Sequence, residues 1–285
     1  MNSNPKISVV IPSIGNRTIN KTLDSINNSS IIIDEIIVSL PPNSKFIIDN
    51  PKKHNNIKIH YSKLKGQVNQ RIDGFKKAKN NFVLQIDDDI ILEKKCLELM
   101  CKFLQKNKNA SISAHFHDMI SKKSIYSNEY NLNSYKKNFI TNIYNKIKTG
   151  GSINHNGEIS KSGFETYPNF QYHKKPFISG WIPGGCVMHL KKNLILSNFF
   201  PFQGKAYCED LFHSIALKKN NIKLYYHLDA IAFLEIENIK SNFKMYIKHL
   251  KADFIIRTQL VEQNKLSKSR MFLVYLIKLF SYLLK

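Results

Sequence analysis

The acidic residues of this chain are outnumbered, 21 against 43 basic ones, and several are grouped where they could do chemistry. Asp87-Asp88-Asp89 follows the apolar run Phe82–Ile86 directly. Read as extended chain, residues i and i+2 point to one side, which brings Asp87 and Asp89 together. Two convergent carboxylates repel unless a cation lies between them. Mg²⁺ or Mn²⁺ takes such hard oxygen ligands, and substrate phosphates complete its shell. An acidic turn capping the next helix is the structural alternative. Glu209-Asp210 is a second acidic pair and opens a helical stretch. There a carboxylate acts either as a cap and dipole partner or as a general base toward an acceptor hydroxyl. Trp181-Ile182-Pro183-Gly184-Gly185 holds the only tryptophan. Paired glycines permit a tight turn and close backbone approach to a ligand. The indole offers a flat apolar face to a sugar, or is a buried ring beside an ordinary turn. Gly66-Gln67-Val68-Asn69-Gln70-Arg71 opens a further helix. Its Arg71 guanidinium suits a diphosphate or a pair of aspartates; a surface arginine is the bland reading.

These residues sit on alternating strands and helices. Ile7–Ile11, Glu35–Val38, Ile57–Tyr61, Phe82–Ile86 and Ser111–Phe116 read as strands. Thr18–Asn27, Val68–Lys79 and Leu92–Leu104 read as amphipathic helices between them. The alternation predicts an α/β fold with a mostly parallel central sheet and helices on both faces. Ligands bind such sheets outside the carboxyl ends of the strands. That rule points to Pro12–Arg17, Ser39–Pro42 and Asp87–Asp89. Residues 118–176 carry little periodicity and read as an insertion or lid. Strand-like order returns at Phe177–Ile182 and Cys186–Leu190, followed by a helix from Glu209 to Lys218 and strands at Lys223–Tyr226 and Ala230–Leu234.

The domain reading is 1–240 for a catalytic domain and 241–285 for a helical tail. Met271–Leu284 is very apolar and flanked by basic residues, but too short to span a bilayer. An interfacial helix on an anionic membrane surface fits it, with a core helix or an oligomer contact as alternatives. The formal net charge is +22, and only four of the basic residues are Arg. A base-reading protein uses more Arg, so nucleic acid is not the expected partner. Cys96, Cys101, Cys186 and Cys208 have no zinc spacing and are expected as buried thiols in a reducing cytosol. The polar N-terminus shows no signal peptide or anchor.

Taken in order, VVIP (9–12), GQVNQRIDGF (66–75), VLQIDDD (83–89), WIPGGCVM (181–188) and CEDLFHSIALKKNNIKLYY (208–226) resemble family 2 glycosyltransferases, over about residues 6–235. The resemblance implies a GT-A fold and inverting transfer of a sugar from a nucleotide-diphosphate donor to an acceptor hydroxyl. It implies Mn²⁺ or Mg²⁺ on Asp89, with Asp87 toward the ribose or the metal's waters. It places the base on Asp210 beside Glu209, and donor contacts on Pro12, Ser13, Arg17, Arg71, Asp87 and Asp88. Trp181, Gly184 and Gly185 then fall beside the acceptor. Val38–Pro42 holds no acid where the family commonly carries an Asp against the nucleobase, so the base is not assigned. Glu235 stands where some relatives supply a late His, with Glu237 beyond; Glu235 or water would complete the metal shell. The implied setting is the cytoplasmic face of a bacterial membrane, with a glycan or lipid-linked acceptor in surface polysaccharide or glycolipid assembly. A nucleotidyltransferase would want a Gly-rich phosphate loop, and Pro12–Arg17 has one Gly. A non-catalytic basic binding module would have no need of Asp87, Asp89 and Asp210.

Overall fold

The computed structural model describes residues 5–15, 18–45, 56–126, 139–151, 154–202, 206–236 and 242–283. Two compact units emerge, Met1–Ser124 with Lys174–Ile236, and Ile125–His173 with Glu237–Lys285.

The first unit is built on one sheet. Strands β1 (Ile7–Pro12), β2 (Glu35–Leu40) and β4 (Phe82–Ile86) are buried at every position, as runs rich in Ile and Val predict for strands covered on both faces. With β3 (Ile57–Tyr61) they form a parallel set in the order β3-β2-β1-β4. Strand β10 (Cys186–Leu190) lies antiparallel between β4 and β6 (Ala110–Asp118). Strand β11 (Lys223–Leu234) runs parallel to β6, and β5 (Ile91–Leu92) and β9 (Phe177–Ile178) pair antiparallel with β11. The sheet is therefore mixed, in a mostly parallel frame. β11 is continuous where the sequence suggested two strands, because its register against β6 shifts between His227 and Ile231 and then resumes.

Helix α1 (Ile19–Asn27) buries Ile19, Leu23 and Ile26. Helix α2 (Gln67–Lys77) buries Val68, Ile72 and Phe75, and Phe75 joins Val10, Ile37, Ala78 and Val83 in the core. Gly74 lets α2 approach β1 closely, since a Cβ there would lie 2.5 Å from Val10 Cγ1. Helix α3 (Cys96–Lys106) starts later than the sequence suggests because Ile91 and Leu92 pair with β11 first. Cys96, Cys101 and Cys186 are buried, and no disulfide forms among the described residues.

The second unit revises the expected boundary at residue 240. Residues 125–173 leave the first unit and group with 237–285. They contain helix α4 (Phe139–Thr149) and the hairpin of β7 (Glu158–Ile159) and β8 (Glu165–Thr166). Helices α6 (Phe243–Gln263) and α7 (Lys268–Leu283) complete the unit. The cause is a shared core in which Phe164 packs with Val261, Met271, Val274 and Tyr275. Arg257 fastens the hairpin to α6, donating to Gly163 O at 2.7 Å and Glu165 Oε2 at 3.0 Å. The apolar tail is thus a core helix on one face, with Phe272, Leu273 and Phe280 exposed on the rest. Among the described residues, no helix is long and apolar enough to cross a membrane.

Candidate active site

Strands β1, β2 and β4 share a direction, and the segments leaving their carboxyl ends line one cavity of about 910 Å³. Pro12 and Ser13 follow β1, Pro41 to Ser44 follow β2, Asp87 to Asp89 follow β4, and Lys65, Gly66, Gln67 and Gln70 come from the start of α2. Gln70 is buried and its amide donates to Ser13 O at 2.8 Å and Ser39 O at 2.7 Å. One side chain therefore ties the ends of two neighbouring strands.

The three aspartates are not extended chain. Asp88 and Asp89 form a turn, with Ile90 N–H donating to Asp87 O at 3.4 Å. The alternation argument for Asp87 and Asp89 fails there, yet all three residues reach the cavity wall. Asp87 Oδ1 accepts from Arg71 Nη2 and from Gln67 Nε2, each at 3.0 Å. Asp88 Oδ2 accepts from the Ser13 hydroxyl. Burial pushes the Asp88 carboxyl up, the Ser13 hydrogen bond opposes this, and the Asp87 charge adds to it. Asp89 is exposed. Among the described residues, no group of three or more His, Cys, Asp or Glu forms a closed metal site. One or two carboxylates beside an open cavity still fit Mg²⁺ or Mn²⁺, which keeps water and phosphate in its remaining positions.

The Gly-Gly turn meets the aspartates through sheet register. Cys186 pairs with Ile86, so the residue before β10 faces the residue after β4, and Asp87 N–H donates to Gly185 O at 2.9 Å. Helix α5 (Glu209–Lys219) carries the second acidic pair. Its N-cap is Cys208, a non-glycine residue at φ 55°, a conformation that costs energy and clusters at functional sites. Asp210 is half-buried and its carboxylate accepts from Leu211 N–H at 3.0 Å. Glu209 is buried and bonds Arg71 Nη1 at 2.7 Å.

Arg71 is 1% exposed and joins both acidic motifs at once. Burial works against its charge, but Glu209 and Asp87 together hold the guanidinium above its ordinary value. Burial pushes Glu209 up and Arg71 opposes it. Gly184 is what leaves room for this pair, since a Cβ there would lie 2.5 Å from Glu209 Oε1.

Pro12, Ser13, Asp87, Asp88 and Asp89 line the cavity, and Gly184 and Gly185 adjoin the acids. Three residues meet one of the readings the sequence left open. Arg71 meets aspartate and glutamate, the second of its two readings, and does not line the cavity, because α2 buries it. Glu209 is spent on Arg71, which leaves Asp210 as the candidate base of the pair. Trp181 is 3% exposed, so its ring offers no open face to a sugar. Arg17 and Glu237 lie outside the described residues. Gln67 and Gln70 join the site without having stood out in the sequence. Their positions, at the start of a helix that opens at a strand-end cavity, are the signal that could have found them.

The family model of glycosyl transferase family 2 matches residues 8–176, more than half of the chain. The chain belongs to glycosyl transferase family 2. The match takes in residues 8–124 of the first unit and 125–173 of the second. The solved structure of GalNAc-T7 with UDP, GalNAc and Mn²⁺ is 13% identical with a TM-score of 0.57, over 86% of this chain and 46% of that one. Residues 1–349 of TarS from S. aureus are 13% identical with a TM-score of 0.52, over 95% of this chain and 69% of that one. This chain thus spans less than half of the GalNAc-T7 structure. Both likenesses are of fold, and that fold is GT-A. No curated protein sequence matches the chain.

Proposed function

We propose that this family 2 domain is an inverting glycosyltransferase that moves a sugar from a nucleotide-diphosphate donor in the cavity to an acceptor hydroxyl. The observation that carries this reading is the convergence of two acidic motifs on one guanidinium beside a cavity of about 910 Å³. The strand-end loops hold the nucleotide, and Gln70 fixes the two loops that flank it. Asp210, at the start of α5, accepts the acceptor proton, so attack opposes departure and configuration inverts. The Asp210 base assignment is the one the resemblance implies, and the pairing of Glu209 with Arg71 supports it.

Asp89, with Asp87, would hold Mn²⁺ or Mg²⁺. Such a cation, when bound, neutralises charge developing on the leaving diphosphate. Asp88 and Ser13 keep the aspartate turn fixed against β1. The acceptor is read as a glycan or lipid-linked intermediate of surface polysaccharide or glycolipid assembly. The chain is read as peripheral on an anionic membrane surface at the cytoplasmic side, without a nucleic-acid partner. The exposed Phe272, Leu273 and Phe280 on α7, in a chain of net charge +22, support that setting.

The test is binding of nucleotide diphosphates and hydrolysis of their sugar esters across a panel of bases, with Mn²⁺, with Mg²⁺ and with chelator. Metal-dependent turnover of one donor, lost in Asp89→Ala, is the expected result. Metal-independent binding indifferent to that variant would remove the catalytic reading.

A further inference from the structure

Arg71 is placed as no donor ligand would be. It is 1% exposed, on the buried face of α2, and its two terminal nitrogens point in different directions along the site. Nη2 holds Asp87 at 3.0 Å, on the turn that lines the donor cavity. Nη1 holds Glu209 at 2.7 Å, at the first residue of the helix that carries Asp210. A planar guanidinium fork fixes the distance and angle between whatever it bridges; an ammonium does not.

Two further contacts close the same circuit. Asp87 N–H donates to Gly185 O at 2.9 Å, and Ile182 N–H, in the same Gly-Gly segment, donates to Ser214 Oγ on α5 at 3.1 Å. The aspartate turn and the acid helix are thus joined by the Gly-Gly segment on one side and by Arg71 on the other.

We propose that Arg71 is a positioning residue that locks the donor-side aspartate turn to the helix carrying the base, rather than a ligand of the donor diphosphate. This rests on the glycosyltransfer reading. An in-line displacement needs donor and base at a set separation, and misplacement by about 1 Å costs roughly 100-fold in rate. Glu209 is then the anchor of Asp210 and not a second base.

Arg71→Met alone strands the buried Glu209 carboxylate, and such a variant is expected to fold poorly. The informative variant is Arg71→Met/Glu209→Gln, which removes both charges and keeps the volume. Three quantities are read on it: dissociation constants for uridine and guanosine diphosphates, kcat for the donor the wild type turns over, and amide exchange. Expected are nucleotide affinities within about threefold of wild type and kcat lower by roughly 100-fold. Exchange at 87–89 and 208–211 is expected to rise about tenfold while the rest of the sheet keeps its protection. Arg71→Lys should fall between, since a point charge holds one carboxylate and not two. A loss of nucleotide affinity beyond about tenfold with unchanged exchange would make Arg71 a donor ligand and overturn the proposal. Wild-type kcat and exchange would reduce Arg71 to a packing residue and overturn it equally. Should the wild type turn over no donor, the functional reading fails by itself; amide exchange still decides whether the lock exists.

Discussion

Gly184 is a glycine because of what lies beneath it. A Cβ at this position would meet Glu209 Oε1 at 2.5 Å, Gln85 Nε2 at 3.3 Å and Arg71 Nη1 at 3.5 Å. Ordinary contact would need the glutamate oxygen to retreat by about an ångström, and it cannot do so cheaply with Arg71 at 2.7 Å. Overpacking of this kind costs about 1–3 kcal/mol. Complete loss of a buried ion pair costs about 3–5 kcal/mol. Gly184→Ala is therefore expected to destabilise the first unit by about 3 kcal/mol, which for a domain of this size lowers Tm by roughly 6–12 °C. Gly185 is the internal control. Its Cβ would meet Asp87 Oδ2 and Phe116 Cζ at 3.4 Å, the edge of normal contact, so Gly185→Ala should cost under about 1 kcal/mol. The assay is urea unfolding followed by the fluorescence of Trp181, the only tryptophan. Equal stabilities for the two variants would refute the packing argument.

Two more outcomes can be worked out. His189 is buried, and burial holds its imidazole near 3, far below the usual 6.5, with the Arg71 charge acting in the same direction. The folded protein needs it neutral, so its contribution is complete above pH 6.5 and is lost as pH falls toward 3. Between pH 7 and 5 the wild type should lose about 2 kcal/mol more than His189→Gln in urea titrations, and parallel losses would contradict the assignment. On α7, Phe272→Ser/Leu273→Ser/Phe280→Ser should weaken cosedimentation with anionic vesicles while leaving Tm within about 2 °C, because only exposed side chains change. Undiminished vesicle binding would exclude this face. Deleting the helix is the poorer experiment, since Met271, Val274 and Tyr275 belong to the core of the second unit.

Much of the first unit was legible because its strands are written in β-branched residues and its acids stand at strand ends. Ile7–Pro12 and Phe82–Ile86 announce themselves by composition, and Asp87–Asp89 by position. What was not legible depends on register and depth. Nothing in the chain order shows that Cys186–Leu190 slides antiparallel beside β4, yet that pairing sets Gly185 against Asp87. Arg71 reads as a partner for a diphosphate or for the aspartates, and only the packing of α2 shows it bridging Asp87 and Glu209. Trp181 reads equally as platform or core, and the fold buries it. Helix α4 escaped the sequence reading, and its Tyr144 and Ile147, with Phe164, pack against a core completed by Val261, Met271 and Val274 from far along the chain.

The most direct test is the stereochemistry of the reaction. Hydrolysis of the active donor should be followed by proton NMR, with the anomeric signal of the first-formed sugar recorded before mutarotation. An inverted anomer, released by the wild type and abolished in Asp210→Asn while nucleotide diphosphate binding persists, is the expected result. A retained anomer, or full turnover by Asp210→Asn, would contradict a single displacement driven by the base at the head of α5.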